Sequence, residues 1–151
     1  MKCLRLQMPV RLSSRDSHMG PYVAGEVVRL MVRKGINPVR AKVLVLGLAF
    51  KENCPDLRNT RVIDIVQALR GYNAEVDVHD PWVDAAECEH EYGLATIGDP
   101  SRGAYDAVIV AVGHREFASQ GAEGIRSYGK PASIVYDVKY VLPRDAVDGR
   151  L

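Results

Sequence analysis

The period of the hydrophobic positions changes along the chain, and those changes mark out its elements. Val23, Val27, Leu30 and Met31 recur at i, i+4, i+7 and i+8, one apolar stripe on a helix. Gly35 follows Arg33-Lys34 as a stop signal, so a helix is expected over residues 21–34 with Pro21 in its first turn. Val43-Leu44-Val45-Leu46 is a short apolar run rich in valine, which suits a strand buried on both faces. A loop follows from Leu48 to Asn59, containing Lys51, Pro55, Asp56 and Arg58. Asn59 or Thr60 then caps a helix with Val62, Ile63, Val66 and Leu69 on one side, ended by Gly71. Val76 and Val78 alternate within a strand over 75–79, which Asp80-Pro81 closes. Residues 83–92 read as a moderate helix, 106–112 as a second buried strand, 115–128 as a weak helix and 133–137 as a last short strand.

Strands that alternate with helices imply βαβ units. The expected fold is α/β, a doubly wound, Rossmann-like parallel sheet with right-handed crossovers and one leading helix. Residues 1–18 lack periodicity and are read as a poorly ordered or non-native lead. Residues 19–40 are read as a helix and linker, and 41–151 as the ligand-binding domain.

Composition narrows the function. The 151 residues make one domain, large enough for a real core but short for a two-substrate dehydrogenase with separate cofactor and substrate domains. A net charge of +1 argues against a general nucleic-acid binder. Three cysteines (Cys3, Cys54 and Cys88) and four histidines show neither C-x-x-C nor metal-ligand spacing. No apolar run reaches the roughly 18 residues of a membrane span. A reducing cytoplasm is the expected compartment.

In open α/β sheets ligands bind beyond the carboxyl ends of the strands. The segments expected there carry Lys51, Arg58, His79, Asp80, His114, Asp137 and Lys139. Such a cation-rich set suits a phosphate or pyrophosphate. A self-contained dinucleotide site is weakly supported, because Gly47-Leu48-Ala49-Phe50-Lys51-Glu52 holds only the first glycine of G-x-G-x-x-G.

More specific are five stretches taken together: Met19-Gly20-Pro21-Tyr22-Val23-Ala24, Phe50 to Thr60, Val78-His79-Asp80-Pro81-Trp82, Ala111 to Phe117, and Asp137-Val138-Lys139-Tyr140-Val141-Leu142-Pro143. With the closing Val147 to Leu151 they cover residues 19–151 in order. The chain resembles the C-terminal domain of the UDP-glucose/GDP-mannose dehydrogenase family. It is most similar to bacterial enzymes that oxidise UDP-N-acetylhexosamines to uronic acids for capsule or O-antigen polysaccharide.

The resemblance implies a UDP-sugar ligand, NAD held mainly by a separate N-terminal domain, and a homodimer built through a central helix whose tail is residues 21–34. It implies that Phe50 and Lys51 contact the nucleotide sugar. Arg58 would reach toward the NAD pyrophosphate across a cleft, and Lys139 would stand near the substrate. The family's nucleophilic cysteine belongs to a Gly-Gly-x-Cys segment that these 151 residues lack. No catalytic residue and no metal site is therefore expected here, and catalysis by this chain alone is not expected. Cys54 is read as a structural loop thiol, His114 as satisfying a backbone group at a strand end, and Trp82 and Tyr22 as packing between elements. The alternative from another class is a non-catalytic dimerisation or interaction fragment without ligand binding.

Overall fold

The computed structural model describes residues 15–151. The chain runs α1 (Arg15–Arg33), β1 (Lys42–Leu46), α2 (Val62–Gly71), β2 (Glu75–His79), α3 (Ala85–Tyr92), β3 (Tyr105–Val110), α4 (Arg115–Arg126), β4 (Gly129–Asp137), a 3-10 turn at Arg144–Ala146 and β5 (Gly149–Arg150). The five strands form one sheet in the order β2-β1-β3-β4-β5. Every pair is parallel. Among the described residues no helix is long and apolar enough to cross a membrane.

The period-2 geometry of a strand divides the buried runs between two faces. Val43, Val45, Ala107, Ile109, Ile134 and Tyr136 point to one side, where α1 and α2 pack with Val23, Val27, Met31, Ile65 and Leu69. Leu44, Leu46, Val108, Val110 and Val135 point to the other, against Phe117 and Ile125 of α4. Continuous apolar strands are thus explained by helices on both faces, the doubly wound arrangement. Fully burying one such aliphatic side chain stabilises the fold by about 1.5–3 kcal/mol.

Several boundaries differ from the sequence expectation. α1 begins at Arg15, so Pro21 lies inside the helix rather than in its first turn. Residues 15–18 belong to α1 and not to an unordered lead; the rest of that expected segment, 1–14, lies outside the described residues. Helical periodicity is legible only where apolar residues recur, and they do so from Val23 onward. Gly20 marks the close crossing of α1 over α2: a Cβ there would lie 2.4 Å from the Asp64 Cβ. The weak helix of 115–128 is two short pieces joined at Gly121, whose φ of 71° and ψ of 179° belong to glycine. β4 starts four residues earlier than expected and is irregular, with its register shifting between Tyr105 and Ala107 of β3. β5 is two residues long, too short for any periodicity to reveal.

Candidate functional site

β1 ends against β3. Gly47 has φ 104°, and a Cβ on it would meet Val112 Cβ at 2.6 Å. Its N–H donates to the His79 carbonyl at 2.8 Å. This glycine serves packing between strand ends. The next two amides are already engaged: Leu48 N–H and Ala49 N–H donate to Asp80 Oδ2 at 2.6 and 2.9 Å. Ala49 and Glu52 stand where the dinucleotide fingerprint needs glycines. The residues of this turn therefore do not fit a dinucleotide pyrophosphate, which needs free amides and close backbone approach.

From Ala49 the chain makes a long excursion to α2, tied down at several points. Phe50 N–H donates to the Asp56 carbonyl at 2.7 Å, closing the loop on itself. Asn53, at φ 56°, donates its N–H to His114 Nδ1 at 2.8 Å and accepts Arg115 N–H on Oδ1 at 2.9 Å. Tyr92 hydroxyl donates to the Leu57 carbonyl at 2.5 Å. Thr60 Oγ1 accepts Val62 N–H at 3.2 Å, but the N-cap of α2 is Arg61, which makes no side-chain cap bond, rather than the expected Asn59 or Thr60.

Beneath the loop lies a buried polar pair. His114 is fully buried and Asp80 nearly so. His114 Nε2 and Asp80 Oδ2 are 2.9 Å apart. Because Nδ1 accepts from Asn53, the ring proton sits on Nε2 and is donated to Asp80. Asp80 Oδ1 also takes Trp82 N–H at 2.8 Å. Burial opposes ionisation of Asp80, but the bonds from His114, Leu48, Ala49 and Trp82 outweigh it and hold the carboxyl below its ordinary range. Trp82 stacks on the His114 ring at 5.9 Å and 25°, and its indole N–H reaches Glu116 Oε1 at 2.8 Å.

A cavity of about 300 Å³ opens at the carboxyl edge of the sheet. Phe50, Asn59, Arg61 and Val62 line one side, and Met19 and Lys139 another. Lys139 is exposed and makes no ion pair among the described residues. Its turn is shaped by buried Asp137, which accepts Lys139 N–H at 3.1 Å and Leu142 N–H at 2.7 Å. Arg61 is held only loosely, 3.9 Å from Asp64. Two cations and no carboxylate face the cavity, beside the positive end of α2. Phe50 leaves about half its surface exposed at the rim. The arrangement can hold an anion against an apolar ring.

The expected residues divide. Phe50 and Lys139 come together. Lys51 is exposed on the same loop but does not line the cavity. Arg58 lies elsewhere, beside a depression of about 230 Å³ with Glu87, Glu91 and Tyr92. Its Nε and Nη2 clasp Asp56 at 3.0 and 3.1 Å, and that bond lowers the Asp56 carboxyl. His79, Asp80, His114 and Asp137 of the expected cationic cluster are scaffold: His79 Nδ1 meets the Ile97 carbonyl at 3.1 Å, and the other three are buried. His114 satisfies a backbone group, the Asn53 N–H, as expected, and Trp82 packs on its ring. Tyr22 does not pack between elements; it is 55% exposed on the outer face of α1. Cys54 is half-buried in the loop. Arg61 and Asn59 were missed, although a cation at the start of the helix expected after Asn59-Thr60 was the available signal.

Residues 44–144 match the model of the UDP-glucose/GDP-mannose dehydrogenase family, UDP binding domain. A UDP-N-acetyl-D-glucosamine 6-dehydrogenase of Pseudomonas aeruginosa is 53% identical over 133 residues, covering 88% of this chain and 32% of the relative. One from Salmonella typhi is 49% identical over 136 residues, 90% of this chain and 32% of the relative. Among solved structures, an NDP-N-acetyl-D-galactosaminuronic acid dehydrogenase of Methanosarcina mazei superposes with a TM-score of 0.74 at 25% identity, over 95% of this chain and 31% of that one. The chain spans about a third of the length of the curated relatives it matches.

Proposed function

The chain belongs to the UDP-glucose/GDP-mannose dehydrogenase family, and from that premise we propose that the cavity at its sheet edge binds the UDP moiety of a nucleotide sugar. The observation that carries the reading is the pairing of Lys139 with Arg61 around an uncompensated cavity whose rim is the Phe50 ring. A diphosphate needs cations that are not already neutralised, and a sugar or base needs an apolar face. Lys139 and Arg61 supply the first and Phe50 the second. Lys51, exposed on the same loop, offsets diphosphate charge or bonds a sugar oxygen from outside the cavity.

The whole-protein activity we propose is NAD-dependent oxidation of a UDP-N-acetylhexosamine to its uronic acid, in cytoplasmic polysaccharide synthesis. The names of the two bacterial relatives, each a UDP-N-acetyl-D-glucosamine 6-dehydrogenase, support the oxidation of a UDP-N-acetylhexosamine. In that setting this chain is the nucleotide-sugar side of the site. Arg58 faces outward with its Asp56 partner and is proposed to meet NAD held by other parts of the protein. The exposed Tyr22 and Val32 of α1 (55% and 57%) are proposed as a seam with a second copy. The same exposed face favours the competing reading of an interaction fragment without ligand binding.

Calorimetric titration of the chain with UDP separates the two. UDP binding that Lys139→Ala weakens about tenfold, the worth of one charge-assisted bond to phosphate, supports the nucleotide site. Absence of UDP binding, with dimerisation in sedimentation runs, supports the interaction reading. NAD binding tighter than UDP overturns both.

A further inference from the structure

The buried His114 takes no part in the binding surface, yet it is the point where the ligand loop is fastened to the core. The bond from Asn53 N–H to Nδ1 joins residues 61 positions apart and is made by the middle of the loop that carries Phe50 and Lys51. Asn53 Oδ1 then holds Arg115 N–H, so the loop is clasped to the start of α4 from both sides. The far side of the ring is fixed by Asp80 at 2.9 Å, and its face by Trp82. One tautomer satisfies all of this: a bare Nδ1 toward the loop and a protonated Nε2 toward Asp80.

We propose that His114 is a positioning residue for nucleotide-sugar binding: its unprotonated Nδ1, through Asn53, sets the loop that presents Phe50 and Lys51. The proposal rests on the nucleotide reading of that loop. A purely structural role would require only that the ring fill its space and satisfy Asp80. The two roles depend on opposite ends of the imidazole, so they can be separated by substitution. In His114→Asn the side-chain oxygen stands as many bonds from Cβ as Nδ1 and keeps an acceptor for Asn53. In His114→Gln the longer amide reaches toward the Nε2 position, keeping a donor for Asp80 and losing the acceptor for the loop.

The experiment measures UDP affinity by calorimetry and exchange of the Asn53 amide by NMR, with Tm alongside, in the whole chain. Positioning predicts that His114→Asn binds UDP within about threefold of wild type, while His114→Gln and His114→Ala bind about tenfold more weakly, the cost of a donor left unpaired. Asn53 amide protection falls in the same two variants and survives in His114→Asn. Asn53→Gly keeps the positive φ and loses only the clasp on Arg115; it weakens UDP about threefold with little change in Tm. The proposal is overturned if Gln preserves affinity and Asn does not, if all variants bind as wild type, or if affinity simply follows Tm. A wild-type chain that does not bind UDP sinks the nucleotide reading, and the Asn53 exchange pattern then decides the anchoring by itself.

Discussion

Asp80→Asn removes one buried charge just after β2 at nearly constant shape. The carboxylate accepts four bonds: from Leu48, Ala49 and His114 on Oδ2, and from Trp82 on Oδ1. An amide offers one oxygen to these four donors. The less costly orientation keeps oxygen at the Oδ2 position and sets NH2 against Trp82 N–H. One charge-assisted bond is then lost with a donor facing a donor, about 2–3 kcal/mol. Three others drop to neutral strength, at about 1 kcal/mol each. Relief of the burial penalty on the charge returns part of this. A net loss of about 3–4 kcal/mol at pH 7 is expected, read by urea unfolding. The pH dependence has a definite sign. The folded-state carboxyl is held below its unfolded value of about 3.9, so its contribution is present above that value and is lost as pH falls through the folded one. The deficit of Asp80→Asn should be full at pH 5 to 7 and shrink below about pH 4. A loss under about 1 kcal/mol, against the ~3 expected from these bonds, or an unchanged difference in acid, refutes the argument.

Two further perturbations probe the frame around the site. Gly20→Ala places a methyl 2.4 Å from Asp64 Cβ and 2.6 Å from its carbonyl carbon; α1 must lift from α2, at about 1–3 kcal/mol in urea unfolding. Asp148→Ala frees Val135 N–H, Arg126 and Lys34, now held at 2.8, 2.8 and 3.1 Å. Burial raises this carboxyl but those bonds outweigh it and lower it, so the expected loss of about 2–3 kcal/mol at pH 7 should also fade in acid.

Much of the fold was legible because its signals are local. Val43–Leu46, Val76 with Val78, and the Val62–Leu69 stripe report their own periodicity and found their strands and helix within a residue or two. The start of α1, the break at Gly121 and the two-residue β5 carry no apolar pattern and were not legible. The site was legible in part. Phe50 and Lys139 were identified through a resemblance of whole motifs, and the cavity brings them together. Arg58 was expected to face NAD rather than the nucleotide sugar; Asp56 two residues earlier holds it away from the cavity, beside the carboxylates of α3.

The sequence by itself determined the layered α/β architecture and the family, because hydrophobic period and contiguous motifs are properties of neighbouring residues. Only the tertiary structure decided which polar residues meet. Asp80 and Asp137 stood among the residues expected at the ligand edge and are scaffold, since strand-end residues are buried or presented according to the turn that follows them. Arg61 looked like an ordinary helix residue and faces the cavity, since α2 starts beside the β1 edge. The bond from Asn53 to His114 spans 61 positions and depends on β1 and β3 lying side by side. Contacts at that range follow from strand order, which no local pattern along the chain records.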